Sequence, residues 1–257
     1  MLSRAGRDLA TAGRAVKLAP LPRVAAEPAV GLPAGHPVAI VAAVLTPLVP
    51  LKALDAAKRR LAPALAPVER RLLAIAMFED VLAALAGTAG LAQPLVVSPD
   101  REVWRRADAL GCRVVEEREP GADGLNASLG RAAAEAAQGD GLLVVAADLP
   151  LATPAGLAKV VAAAGRAPVV VVPSHDGDGS NLLAWRDRAA FRPAFGPGSA
   201  ARHLAEPGAV RLDEPGLALD VDTPADLRAA AALVEPDSVT GRRLRDLRLT
   251  ARLEQHG

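Results

Sequence analysis

The chain has 257 residues, 51% of them hydrophobic and 23% charged, which suits a sizeable α/β core and excludes wholesale disorder. Aromatics are only 2% and Tyr is absent, so Ala, Leu and Val must build that core. The formal net charge is +1, but residues 1–36 and the stretch after Val234 carry a basic excess that leaves the middle at −3, a poor surface for nucleic acid.

Residues 1–36 place Arg4, Arg7, Arg14 and Arg23 among prolines without a continuous apolar segment. They read as a basic extension without a signal peptide, ahead of a main domain spanning 37–234. Val38 to Leu45 reads as a buried first strand, far short of the about 18 apolar residues that a membrane helix needs. A cytoplasmic protein with no membrane partner is expected. The segment Thr46 to Pro63 then brings Lys52, Lys58, Arg59 and Arg60 close together. Cations beyond a strand neutralise phosphate oxygens, so Lys52, Lys58 and Arg60 are candidate triphosphate ligands; the alternative is a solvated basic surface. No glycine lies between Pro37 and Pro63, so a P-loop or dinucleotide fingerprint is absent.

Pro67 to Ala86 repeats apolar residues at helical spacing. Leu95 to Val97 is a second strand, Pro99-Asp100 opens a helix, and Cys112 to Val115 is a third strand. Cys112 is the only cysteine; it reads as core, excludes a disulfide framework and fits a reducing compartment. Leu125 to Ala137 is helical, and Gly124 with Asn126 offers amides to a ribose or base. Leu142 to Ala147 is a fourth strand ending at Asp148, Thr153 caps the next helix, and Val169 to Val172 is a fifth strand closed by Pro173. This alternation predicts an α/β fold, a mainly parallel sheet with helices on both faces. Ligands of such sheets sit at the carboxyl ends of the strands, here the loop after Leu45, Asp148, and the segment after Pro173.

Asp148 follows a fully apolar strand, and Mg²⁺ prefers carboxylate oxygens together with substrate phosphates. Helix capping is the competing reading of Asp148, although Thr153 is better placed for that. Asp176 to Leu183 is a turn followed by a short apolar run; Phe195-Gly196-Pro197-Gly198-Ser199 and His203 come later. Backbone amides at glycines and the hydroxyls of Ser180 and Ser199 suit a small anion, or else form ordinary loops. His36 and His175 show no metal spacing. Asp220 and Asp222, two apart on an extended segment, point the same way and complete a metal site with Asp148. A capped helix start accounts for Thr223, Pro224 and Asp226 but not for Asp220. The stretch 235–257, with Arg242, Arg243, Arg245, Arg248 and Arg252, reads as a solvated basic tail, with a terminal basic helix as the alternative.

In this order, Leu51-Lys52, Ala57-Lys58-Arg59-Arg60-Leu61, Gly124-Leu125-Asn126, Asp148-Leu149-Pro150-Leu151, Gly179-Ser180-Asn181, Phe195-Gly196-Pro197-Gly198-Ser199 with His203, and Asp220-Val221-Asp222-Thr223-Pro224 form a set. The set resembles the 2-phospho-L-lactate / phosphoenolpyruvate guanylyltransferases of coenzyme F-420 biosynthesis, over roughly residues 38 to 234. The resemblance implies a Rossmann-like, glycosyltransferase-A-like nucleotidyltransferase fold. It implies GTP at Lys52, Lys58, Arg60, Gly124 and Asn126, with Lys52 and Asp148 catalytic. It implies Mg²⁺ on Asp148 with a carboxylate of the Asp220/Asp222 pair, either of the two, and the phosphate of a three-carbon acid near Ser180, Gly196 and Ser199. Ser180 stands where members commonly have Thr, which keeps the hydroxyl, and the basic ends have no counterpart.

The expected reaction transfers GMP from GTP to phosphoenolpyruvate, the first choice because the Ala- and Arg-rich composition looks bacterial, or to 2-phospho-L-lactate. 3-Phosphoglycerate is a further candidate. A nucleotidyltransferase for a sugar phosphate or molybdopterin is the nearest rival, but those usually carry a Gly-rich loop after the first strand. A noncatalytic nucleotide-binding protein is the other; it is expected to lose the acidic residues kept here. The oligomeric state stays open, a homodimer included.

Overall fold

In the computed structural model, residues 44–117, 122–136 and 141–249 are described, and they form a seven-stranded sheet. Its strands are β1 (Leu45–Pro50), β2 (Leu95–Ser98), β3 (Arg113–Glu116), β4 (Gly141–Val145), β5 (Val169–Pro173), β6 (Ser180–Trp185) and β7 (Ala209–Arg211), in the order β3-β2-β1-β4-β6-β5-β7. All pairings are parallel except those of β6, which runs antiparallel to both β4 and β5. The helices are α1 (Pro67–Ala86), α2 (Arg101–Ala109), α3 (Ala122–Glu135), α4 (Pro154–Ala164), α5 (Ser199–Leu204), α6 (Pro215–Ala218), α7 (Pro224–Leu233) and α8 (Val239–Asp246).

The strands β4 and β5 are buried on both faces and therefore read as unbroken apolar runs. Side chains alternate between the faces, and each set joins a different core. Leu143 and Val145 of β4 pack with Val49, Phe78, Val81 and Leu157, on the side covered by α1 and α4. Leu142 and Val144 pack with Leu48, Leu129 and Ala132, on the side covered by α3. Trp185 and Phe191 meet edge to face at 5.7 Å in this second core. The mainly parallel sheet with helices on both faces is thus observed, with β6 as its one reversed strand among the described residues.

The first strand lies further along the chain than expected. The reading from Val38 to Leu45 stops where β1 begins, and residues 38–43 fall outside the described residues. Pro47 and Pro50 argued against a central strand, because each lacks an N–H for the ladder. Burial overrides that cost: Leu45, Leu48 and Val49 are all inaccessible to solvent between β2 and β4. The ligand-bearing loop consequently starts at Leu51 rather than Thr46.

The stretch read as a solvated tail is also corrected as far as Leu249. Helix α8 packs on α1, and Leu244 and Leu249 are buried with Leu61, Leu73, Met77 and Val221 in a third core. The Asp80 carboxylate on α1 accepts the backbone N–H groups of Val239 and Thr240, both at 2.8 Å, and Ser238 accepts that of Gly241 at 2.9 Å. These bonds satisfy the donors that a helix start leaves open and set a negative charge at the positive end of the dipole. Replacement of Asp80 by Ala is expected to cost about 1–3 kcal/mol of unfolding free energy in urea titrations; an unchanged midpoint would show that α8 is not held this way.

Candidate active site

The carboxyl ends of β1 and β4 open into a cavity of about 330 Å³ lined by Lys52, Lys58, Glu117, Asp148, Ser180 and Asp222, with Leu125 and Phe195 as apolar walls. This is where a parallel sheet leaves a crevice between diverging loops. Lys58 sits at the centre. Its Nζ donates to Asp148 Oδ2 and, at 3.0 Å, to Asp222 Oδ1, and its side chain is only 8% exposed. Burial alone would depress the ammonium pKa, but the two carboxylates outweigh it and hold it above the usual lysine value. Lys58 also has a left-handed backbone (φ 54°), unusual for a residue with a side chain, at the start of the short 3-10 turn Arg59–Leu61. Arg60 reaches Asp222 at 3.7 Å from an exposed position, and Lys52 is exposed on the cavity rim.

The acids converge, although not as a ready-made cage. Among the described residues no group of three or more His, Cys, Asp or Glu side chains is arranged to hold a metal ion. Asp148 and Asp222 share Lys58, while Asp220 accepts from Asn181 Nδ2 at 3.2 Å and meets His175 Nδ1 at 3.4 Å. Asp220 and Asp222 therefore take different partners, where the extended-segment reading had them act together. Their titrations differ accordingly. Burial, reinforced by the nearby Asp148 charge, raises the Asp220 pKa. For Asp222 burial acts upward too, but Lys58 and Arg60 prevail and hold the carboxyl below its ordinary range. Asp226 accepts the N–H groups of Asp222 (3.1 Å) and Thr223 (2.7 Å), so the helix-cap reading of Thr223, Pro224 and Asp226 is correct for those residues.

On the β6 side a hydroxyl is aimed by a relay. The N–H of Ala194 donates to His203 Nε2 at 3.1 Å, so that nitrogen carries the lone pair. The proton is then on Nδ1, which donates to Ser180 Oγ at 2.9 Å. Ser180 is left with its own hydroxyl proton to give to something in the cavity. Ser199 Oγ is spent accepting the Ser180 N–H at 3.0 Å, so it positions Ser180. Gly196, at φ 124°, occupies a conformation suited to glycine, and no hydrogen bond within the described residues engages its N–H. Asn181 ties β6 to the 217–220 segment through the carbonyls of Leu217 and Ala218.

Two residues read as nucleotide contacts lie on α3. Gly124 is buried in its first turn. Asn126 exchanges both amide functions with the Phe195 backbone, at 3.1 and 2.9 Å, so it holds the Phe195-Gly196 loop, and the direct ribose or base contact is not carried forward. Cys112 is buried and its thiol is pushed up to about 11 by desolvation, which makes it core and a poor nucleophile, as expected. Sequence reasoning missed Glu117, and read His175 only as lacking metal spacing. Glu117 stands just past the carboxyl end of β3, where the strand-end rule used for Asp148 would have found it.

The chain also has relatives among known proteins. A family model described as "Guanylyl transferase CofC like" matches residues 45–256. The chain belongs to that family. A phosphoenolpyruvate guanylyltransferase of Nocardia farcinica is 42% identical over 214 residues, covering 81% of this chain and 94% of that protein. One from Thermomonospora curvata is 44% identical over 72% of this chain and 82% of its own length. Among solved structures, a protein of Desulfovibrio desulfuricans described as a nucleotide-diphospho-sugar transferase aligns with a TM-score of 0.64 at 16% identity, over 83% of this chain and 98% of that one. A nucleotidyl transferase of Methanothermobacter thermautotrophicus reaches 0.52 at 20% identity, over 83% and 99%. The structural likenesses establish the fold: this guanylyl transferase has the nucleotide-diphospho-sugar transferase architecture, and it is a nucleotidyltransferase.

The His203 relay has a measurable consequence. Burial, with a smaller contribution from Arg202, lowers the His203 pKa from 6.5 to about 4. A lowered folded-state pKa gives stability that is complete above pH 6.5 and is lost as pH falls through 4. His203→Asn keeps a donor toward Ser180 but does not titrate. Between pH 6.5 and 4 its unfolding free energy is expected to fall less than the parent's, by about 1–3 kcal/mol; parallel pH profiles in urea would refute a histidine buried neutral.

Proposed function

We propose that the protein transfers GMP from GTP to the phosphate of phosphoenolpyruvate, releasing pyrophosphate, in coenzyme F-420 biosynthesis. The observation that carries this reading is the Lys58 ammonium seated between Asp148 and Asp222 in a cavity that Ser180 also lines. Cationic and acidic groups meet there, as a triphosphate and its counter-ion require. Names of relatives at 42–44% identity support the acceptor.

The reaction asks little of general bases. A phosphate oxygen of the acid is already anionic near neutral pH; it attacks the α-phosphorus of GTP, and the bond to the bridging oxygen of pyrophosphate breaks. Catalysis is then positioning and charge neutralisation. Lys52, Lys58 and Arg60 offset the triphosphate charge. Ser180, held by Ser199 and His203, and the free Gly196 N–H orient the acceptor on the β6 side.

Asp148 and Asp222, with Asp220 beside them, fit a hard divalent cation. Their oxygens converge on one positive atom, and Asp220 is a carboxyl whose charge Asp148 opposes. Mg²⁺ is the proposed occupant, and when bound it supplies Lewis-acid neutralisation of phosphate oxygens.

Mass spectrometry of products formed from GTP with phosphoenolpyruvate, 2-phospho-L-lactate or 3-phosphoglycerate tests the acceptor. Asp148→Asn is expected to lower transfer by at least about 100-fold while the chain still folds, and chelation of divalent ions to stop turnover. Full turnover by Asp148→Asn would reject the role given to this carboxylate.

A further inference from the structure

Glu117 is a carboxylate without an evident structural task. It is 8% exposed, follows the last residue of β3, and its backbone N–H is tied to Ser98 at 3.1 Å. No hydrogen bond or ion pair engages its carboxylate among the described residues, although Lys52 and Arg131 lie within electrostatic reach. Burial raises its pKa, and the two cations only partly offset this. Burying an unpaired acid is costly, so such a group in a cavity wall is a candidate for a ligand that arrives with donors.

The sheet order indicates which part of the ligand. On the reading proposed above, Asp148, just past β4, marks the reacting phosphate, and Ser180, the first residue of β6, lies on the β6 side. Glu117 lies on the opposite side, past β1 and β2, in the same cavity as Lys52 and the apolar Leu125. A nucleotide whose α-phosphate is at Asp148 and whose acceptor is on the β6 side extends its nucleoside toward β3. Guanine carries N1–H and the N2 amino group side by side, a pair that a carboxylate accepts in bidentate fashion. Adenine presents an acceptor at N1, and the pyrimidines lack this pair.

We infer that Glu117 is the specificity residue of the nucleotide subsite, accepting N1–H and N2–H of guanine beside the Leu125 wall. This rests on the GTP reading above and adds its base-recognising residue.

The test is direct binding by calorimetry of GTP, ITP and ATP to the full chain and to Glu117→Gln, beside turnover with phosphoenolpyruvate. Gln has the same shape but puts an amide donor against one guanine donor. Expected are a preference of wild type for GTP over ITP of at least about 10-fold, falling to near 1 in Glu117→Gln, and a GTP affinity loss of about 100-fold. The KM for the acid and the melting temperature should stay near the parent's. Retained discrimination in Glu117→Gln overturns the inference, and so does a fall in melting temperature accompanied by an equal loss for all three nucleotides. Binding of GTP without turnover on any phospho-acid leaves the base-recognition result readable and sinks the proposed reaction instead. Failure of wild type to prefer GTP over ITP overturns the inference alone.

Discussion

The Lys58 bridge holds together three segments that are remote in sequence: the turn after β1, the end of β4, and the strand-like approach to α7. Two carboxylates facing one cavity repel each other, and each alone would be costly to desolvate. A single ammonium between them removes both penalties and gains charge-assisted hydrogen bonds. Its left-handed backbone costs about 1–2 kcal/mol for a residue with a side chain.

The reversed strand β6 divides the crevice into two halves. In the all-parallel part of the sheet, β3-β2-β1-β4, every carboxyl end opens toward the same side, which gives a continuous floor from Glu117 to Asp148. Because β6 runs the other way, it begins where β4 ends, and Ser180, its first residue, comes level with Asp148. A short reversal thus sets a hydroxyl beside a carboxylate without a long loop. The His203 relay then fixes where the Ser180 proton points, and Phe195, stacked edge-on against His203 at 4.9 Å, couples that relay to the cavity wall.

Much of this was legible in the chain because the signals were local. Asp148 follows an unbroken apolar run, Thr153 and Thr223 stand at helix starts, and α1 falls on Pro67–Ala86 as its periodicity predicts. The failures share a physical origin in tertiary context. Propensity cannot see that β1 is flanked on both sides, so Pro47 and Pro50 hid a central strand. The short apolar run closing Asp176 to Leu183 was noted, but nothing local shows that this segment pairs in reverse. Asn126 has the composition of a ligand contact and the geometry of a loop tie. Glu117 carries no motif; only its place just past a strand end, and its burial in the cavity wall, mark it.

The C-terminal segment shows how far such context reaches. Its arginines gave the impression of a solvated tail, yet Leu244 and Leu249 close a core that also contains Leu61 and Val221. Leu61 ends the turn that begins beside Lys58, and Val221 lies between Asp220 and Asp222. The same apolar cluster therefore backs both the cation and the acids of the crevice. Because interiors pack at crystal-like density, a shift of α8 has no slack through which to escape these two segments. Asp80, by holding the start of α8 to α1, anchors that backing from the far side of the helix that covers the sheet. The geometry of the charged centre is thus set partly by a helix that makes no contact with it.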